Sequence, residues 1–103
     1  MNSKIKNVVS VDIDGVIAVP LEEKDRHKYW LNVPIKYTIE KVNKLYEGKY
    51  VIIYHTARDP IHYAETYAWL LRNGCKFHAL EMGKLNANYF IDDRNITIDE
   101  LLK

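Results

Sequence analysis

The chain has 1 cysteine, Cys75, in 103 residues. That excludes an intramolecular disulfide framework and a cysteine-built zinc cluster. It lacks any apolar run long enough to span a bilayer, and no stretch reads as a secretory apolar segment. It lacks an excess of one charge, with 15 Lys and Arg against 14 Asp and Glu. A general nucleic-acid or membrane-surface binder would carry a basic imbalance, so both classes are disfavoured. There is no repeat, low-complexity tract or interdomain linker. The histidines, His27, His55, His62 and His78, have no close-paired zinc spacing. What remains is one domain, 1–103, expected in the cytosol or an equivalent reducing compartment. Cys75 follows Asn73-Gly74, has no activating motif around it, and reads as a small structural residue.

Against that background stands Asp12-Ile13-Asp14-Gly15-Val16, at the end of the apolar run Val8-Val9-Ser10-Val11. Alternate residues of a strand share a face, so a regular strand would place both carboxylates together. Like charges held close need a cation or a proton to offset them. A divalent metal or a phosphoryl group above the strand end satisfies that need. The competing reading is a simple Asp-Gly turn.

The apolar pattern alternates between strand and helix. Residues 5–13 read as a buried strand, and 15–33 as an extended loop or short flap containing a charge cluster at 22–28 and then Tyr29-Trp30-Leu31. Residues 34–47 read as a helix, with Pro34 in its first turn and Ile35, Ile39, Val42 and Leu45 on one stripe. Tyr50-Val51-Ile52-Ile53-Tyr54 is a second strand. A second helix opens at Asp59-Pro60, with Ile61, Ala64, Ala68 and Leu71 as its inner stripe. Phe77-His78-Ala79-Leu80 and Tyr89-Phe90-Ile91 are two further strands, and Thr97 caps a short terminal helix. The pattern predicts an α/β fold, a parallel sheet with helices on both faces. Ligands of such sheets bind beyond the carboxyl ends of the strands. Asp12 and Asp14, then Thr56 and Arg58, then Lys84, then Asp92 and Asp93 all fall there.

Carboxylates, a hydroxyl and a lysine in one crevice make a set suited to phosphoryl transfer. Asp12 can act as nucleophile. Asp14 can protonate the leaving alcohol and deprotonate the attacking water. Asp12, Asp92 and the main chain at Asp14 offer oxygen ligands of the kind Mg²⁺ prefers. Thr56 and backbone amides such as that of Ala57 can hold phosphate oxygens, and Lys84 can neutralise them. Asp93 fits a role through water or by orienting Lys84. Arg58 could reach a substrate anion or pair with Asp59 or Asp93. His55, beside Thr56, is placed to line the pocket, and Arg94 reads as a partner of Asp93.

These residues, in this order, resemble the haloacid dehalogenase superfamily of aspartate-nucleophile phosphohydrolases: Asp12-Ile13-Asp14-Gly15-Val16, Thr56 after Val51-Ile52-Ile53-Tyr54, Lys84 in Met82-Gly83-Lys84, and Asp92-Asp93 after Tyr89-Phe90-Ile91. A narrower likeness, through Tyr54-His55-Thr56-Ala57-Arg58 and Thr66-Tyr67-Ala68-Trp69-Leu70, is to small capless members associated with capsule and sugar-nucleotide genes, or similar to nucleotidase-like phosphatases. Gly83-Lys84-Leu85 departs from the Gly-Lys-Pro that such sequences often carry. The resemblance implies a Rossmann-like sheet without a cap domain, Mg²⁺, and hydrolysis of a small phosphate ester such as a sugar phosphate or nucleotide. Nucleic acid enters only as a phosphorylated end to be trimmed. A homodimer through exposed aromatics such as Tyr29 and Trp30 stays open. Two other classes compete. A receiver-type phosphoacceptor would carry its acidic pair on the first strand and its phosphorylated Asp later, the reverse of this order. A silent binding protein on the same fold has no need to keep Asp12, Asp14 and Lys84.

Overall fold

A branched Cβ packs well on a pleated surface, so runs of Val and Ile favour extended backbone. Two such runs form β1, Val8–Asp12, and β2, Val51–His55, and a shorter segment forms β3, Ala79–Glu81. Between them lie α1, Lys36–Glu47, and α2, Tyr63–Arg72. The structure, a computed structural model, describes residues 7–83. The expected fourth strand and terminal helix, together with Lys84, Asp92, Asp93 and Arg94, lie outside the described residues.

All pairing is parallel, in the order β1-β2-β3. Parallel neighbours need a crossover, which α1 and α2 provide. Asp12 stands opposite His55, and His55 opposite Glu81, so three carboxyl ends finish level. Ile13, Ile17, Ile52, Tyr54 and Leu70 are fully buried beneath them. Ile39 and Val42 of α1 join this core and Leu45 packs against it, as the stripe predicts. Each such side chain stabilises the fold by roughly 1.5–3 kcal/mol.

The structure corrects four details. First, α1 starts at Lys36 because the residues before it are used elsewhere: Pro34 bridges to Ala18, and the Ile35 amide donates to the Ile17 carbonyl at 2.8 Å. Second, β1 is not buried along its length. Val8 is 61% exposed, since β1 is an edge among the described strands. Third, the inner face of α2 is rotated from the expected stripe. Ile61 and Leu71 are 79% and 57% exposed, and Thr66, Trp69 and Leu70 turn inward instead. Hydrogen bonds select that face: the Trp69 indole N–H donates to the Asn32 carbonyl at 3.0 Å, and Thr66 Oγ1 accepts from Arg58 Nη1 at 2.9 Å. Fourth, 15–33, expected as an extended loop or short flap, is anchored to the core at its start and carries two short turns. The Ile13 carbonyl accepts from the amides of Val16, Ile17 and Ala18, a turn that needs the positive φ of Gly15 (+89°). Ile17 and Ala18 then enter the core, 3-10 turns follow at Glu23–Asp25 and Tyr29–Leu31, and the second turn packs on α2. No helix among the described residues is long and apolar enough to cross a membrane.

Cys75 is buried, and burial pushes its thiol up to about 11 from an ordinary 9.0. A raised thiol value means that folding favours the protonated form. That contribution is complete below pH 9 and is lost as pH rises toward 11, a difference on the order of 2–3 kcal/mol. Cys75 should resist thiol reagents at pH 8 until the protein is denatured. Urea stability should fall between pH 9 and 11, and less so in Cys75→Ala. Rapid labelling of the native protein at pH 8 would contradict this.

Candidate functional site

The chain leaves strand geometry at Ile13, whose amide makes the last bond across to His55 (3.2 Å). As a result Asp12 and Asp14 acquire different partners. Asp12 Oδ1 lies 2.9 Å from His55 Nδ1, its cross-strand neighbour, and its side chain is half exposed. Asp14 is gripped by Arg58, with Nε 3.1 Å from Oδ2 and Nη2 2.7 Å from Oδ1. Two parallel charge-assisted bonds of this kind fix the orientation of the carboxylate as well as its charge. Thr56 Oγ1 adds a bond to Asp14 Oδ2 at 3.2 Å.

Thr56 is held in turn. Its amide donates to the Glu81 carbonyl at 3.0 Å, and its hydroxyl accepts the Arg58 amide at 3.2 Å. The turn after β2 therefore carries Arg58 inward, where it is 5% exposed. A guanidinium so buried costs several kcal/mol unless its donors are satisfied. Nη1 donates to Thr66 and Nη2 to Asn32 Oδ1 at 3.0 Å, while the Tyr29 ring lies 3.9 Å from the guanidinium carbon. That face-on contact adds a cation–π attraction. Burial holds the Tyr29 phenol above its ordinary value, against the opposing pull of Arg58.

Asp59 does not pair with Arg58. It accepts the Ile61 amide at 3.0 Å and caps the turn Pro60–His62, as its position before a proline predicts. Asn32, Thr66 and the partner role of His55 were not legible beforehand. Asn32 stands alone in an aromatic segment, with no spacing to mark it. Thr66 precedes Trp69 by one helical turn, which was a usable signal. The Gly83 amide donates to the Arg58 carbonyl at 2.9 Å, with φ at +73° and Pro60 3.4 Å from where a Cβ would stand. The residue before Lys84 is thus tied to the Arg58 turn.

A cavity of about 330 Å³ opens beside these groups. Asp14, Pro20, Leu21, Arg26, Tyr29, Ala57 and Arg58 line it. Among the described residues no three His, Cys, Asp or Glu side chains converge as a metal cluster. The donors present, the Asp12 carboxylate and the main chain at Asp14, are hard oxygens and suit Mg²⁺ in kind. With its carboxylate held by Arg58, Asp14 offers its main chain more readily than its side chain. Asp92, the third expected ligand, lies outside the described residues.

No family model and no curated protein matches the chain. Among solved structures it is similar to an MCSG target from Vibrio cholerae, with a TM-score of 0.66 and 20% identity over 91% of this chain and 85% of that one. The likeness supports the fold class: a small α/β protein built on a parallel sheet.

Arg58→Lys should lower urea stability by about 2–3 kcal/mol, because an ammonium cannot reproduce the fork and leaves Asp14, Thr66 and Asn32 short of donors. Combined with Asp14→Asn, the loss should be less than additive. Wild-type stability in Arg58→Lys would show that the network carries no weight.

Proposed function

We propose that the chain is a Mg²⁺-dependent phosphomonoesterase of the haloacid dehalogenase type, on a Rossmann-like sheet covered on both faces and without a cap domain. The observation that carries this reading is the division of labour between two neighbouring carboxylates. Asp12 is half exposed at the end of β1, and Asp14 is locked by Arg58 and Thr56 at the edge of a cavity.

In this reading a carboxylate oxygen of Asp12, which lies beside His55 at the end of β1, attacks phosphorus. The ester oxygen departs as an alcohol, taking a proton from Asp14, and an aspartyl phosphate remains on Asp12. Asp14 then removes a proton from water, which attacks the same phosphorus and releases inorganic phosphate. Arg58 holds Asp14 in one orientation for both transfers. Both lone pairs of Asp14 Oδ2 are engaged, by Arg58 and Thr56, so the proton is carried on Oδ1, which accepts from Arg58 Nη2 and has a lone pair left. The Ala57 amide and Lys84 hold the phosphate oxygens, and Thr56, whose one hydroxyl proton goes to Asp14, fixes that carboxylate beside them. Asp12, the Asp14 main chain and Asp92 would hold Mg²⁺, which when bound would supply the positive charge that lets a carboxylate approach a phosphate. Asp93 supports Lys84 or the cation. The cavity size suits a small phosphorylated substrate such as a sugar phosphate or nucleotide.

Phosphate release from p-nitrophenyl phosphate and a panel of sugar phosphates and nucleotides should require Mg²⁺ and stop with chelator. Asp12→Asn should reduce it by about 10³-fold or more while circular dichroism stays native. Turnover by Asp12→Asn near the wild-type rate would remove Asp12 from the mechanism.

A further inference from the structure

Arg26 is the cation of the cavity that the phosphatase reading leaves unused. The charges lining that cavity are Asp14, Arg58 and Arg26, and the first two neutralise each other in a bidentate pair. Asp25, the neighbour of Arg26 in the chain, pairs with Lys28 at 3.6 Å. No ion pair to Arg26 occurs among the described residues. Its backbone is nonetheless placed, since its amide closes the Glu23–Asp25 turn on the Glu23 carbonyl at 3.3 Å. Pro20, Leu21 and Tyr29 line the same cavity as Arg26 and the Asp14–Arg58 pair. Those side chains offer apolar surface to the carbon frame of a ligand. A guanidinium in the same cavity with no carboxylate paired to it can take a second anion.

We propose that Arg26 forms a second anion subsite, so that the favoured substrate is a phosphate monoester whose alcohol portion carries a further anionic group, a carboxylate or a second phosphate. This rests on the phosphatase reading for the position of the first phosphate. The net charge of only +1 is compatible with it, because the discrimination is local to one side chain rather than spread over the surface.

The test measures binding apart from turnover. Titration calorimetry in Mg²⁺ on the full chain carrying Asp12→Asn compares glucose 6-phosphate with 6-phosphogluconate and with glucose 1,6-bisphosphate. At least one acidic ligand should bind about tenfold tighter than glucose 6-phosphate, about 1.4 kcal/mol. The one that does so identifies the second group. Adding Arg26→Gln should bring the ligands to the same affinity. Adding Lys24→Gln, which removes the same charge from the same turn but outside the cavity, should keep the preference. Equal affinity for all three ligands, no binding of any, or a preference that survives Arg26→Gln, would overturn the subsite. A preference lost equally with Lys24→Gln would overturn it too, as a long-range field. Phosphate release from p-nitrophenyl phosphate by the unmutated chain reads the phosphatase proposal separately, because that ester has no second anion.

Discussion

The buried guanidinium of Arg58 is the interaction on which the described structure most depends. Taking a charge out of water is costly, and the cost is met only when geometry is good and the donors are satisfied. Here the partners come from separate stretches of chain: Asp14 beyond β1, Tyr29 and Asn32 from the segment before α1, and Thr66 from α2. One side chain therefore fixes the relative position of four pieces of backbone. Asn32 extends the same frame, its amide donating to the Val19 carbonyl at 2.8 Å while its own carbonyl takes the Trp69 indole.

That constraint also separates two carboxylates which would otherwise be equivalent. Two aspartates two residues apart repel if they share a face and a state. The turn at Gly15 and the pull of Arg58 draw Asp14 toward α2, whereas Asp12 stays on the strand beside His55. The proposed function needs a reachable nucleophile and an oriented proton carrier, and it assigns those roles to the half-exposed Asp12 and the held Asp14 at the carboxyl end of a parallel sheet, where crossovers leave an opening.

Much of the fold was legible because it depends on period and punctuation. The α1 stripe of Ile39 and Val42, the run of β2 and the cap at Asp59 follow from spacing and from local hydrogen bonds. The inner face of α2 was legible in part: Trp69 and Leu70, beside the expected stripe, read as core or interface residues and are buried, whereas Thr66 is drawn inward by Arg58, a polar partner that a hydrophobic count gives no weight. The packing of Ile17 and Ala18 was hidden for a similar reason: the charge cluster that follows them marks the segment as loop and conceals its anchored start. At the site Asp14, Thr56 and Arg58 are brought together, whereas Asp12 lies beside His55 and is not among the residues that line the cavity. The Arg58–Asp14 pair was missed because Asp59 and Asp93 stood nearer to hand in sequence. Lys84, Asp92 and Asp93 lie outside the described residues.

The central claim is that Asp12 becomes covalently phosphorylated. The most direct measurement is to quench the protein in acid during turnover, reduce it with borohydride and map the peptides by mass spectrometry. An aspartyl phosphate is reduced to homoserine, so the account predicts homoserine at position 12 and nowhere else, dependent on substrate and Mg²⁺. Phosphate release with no reduction at position 12, or with reduction at Asp14 instead, would contradict it.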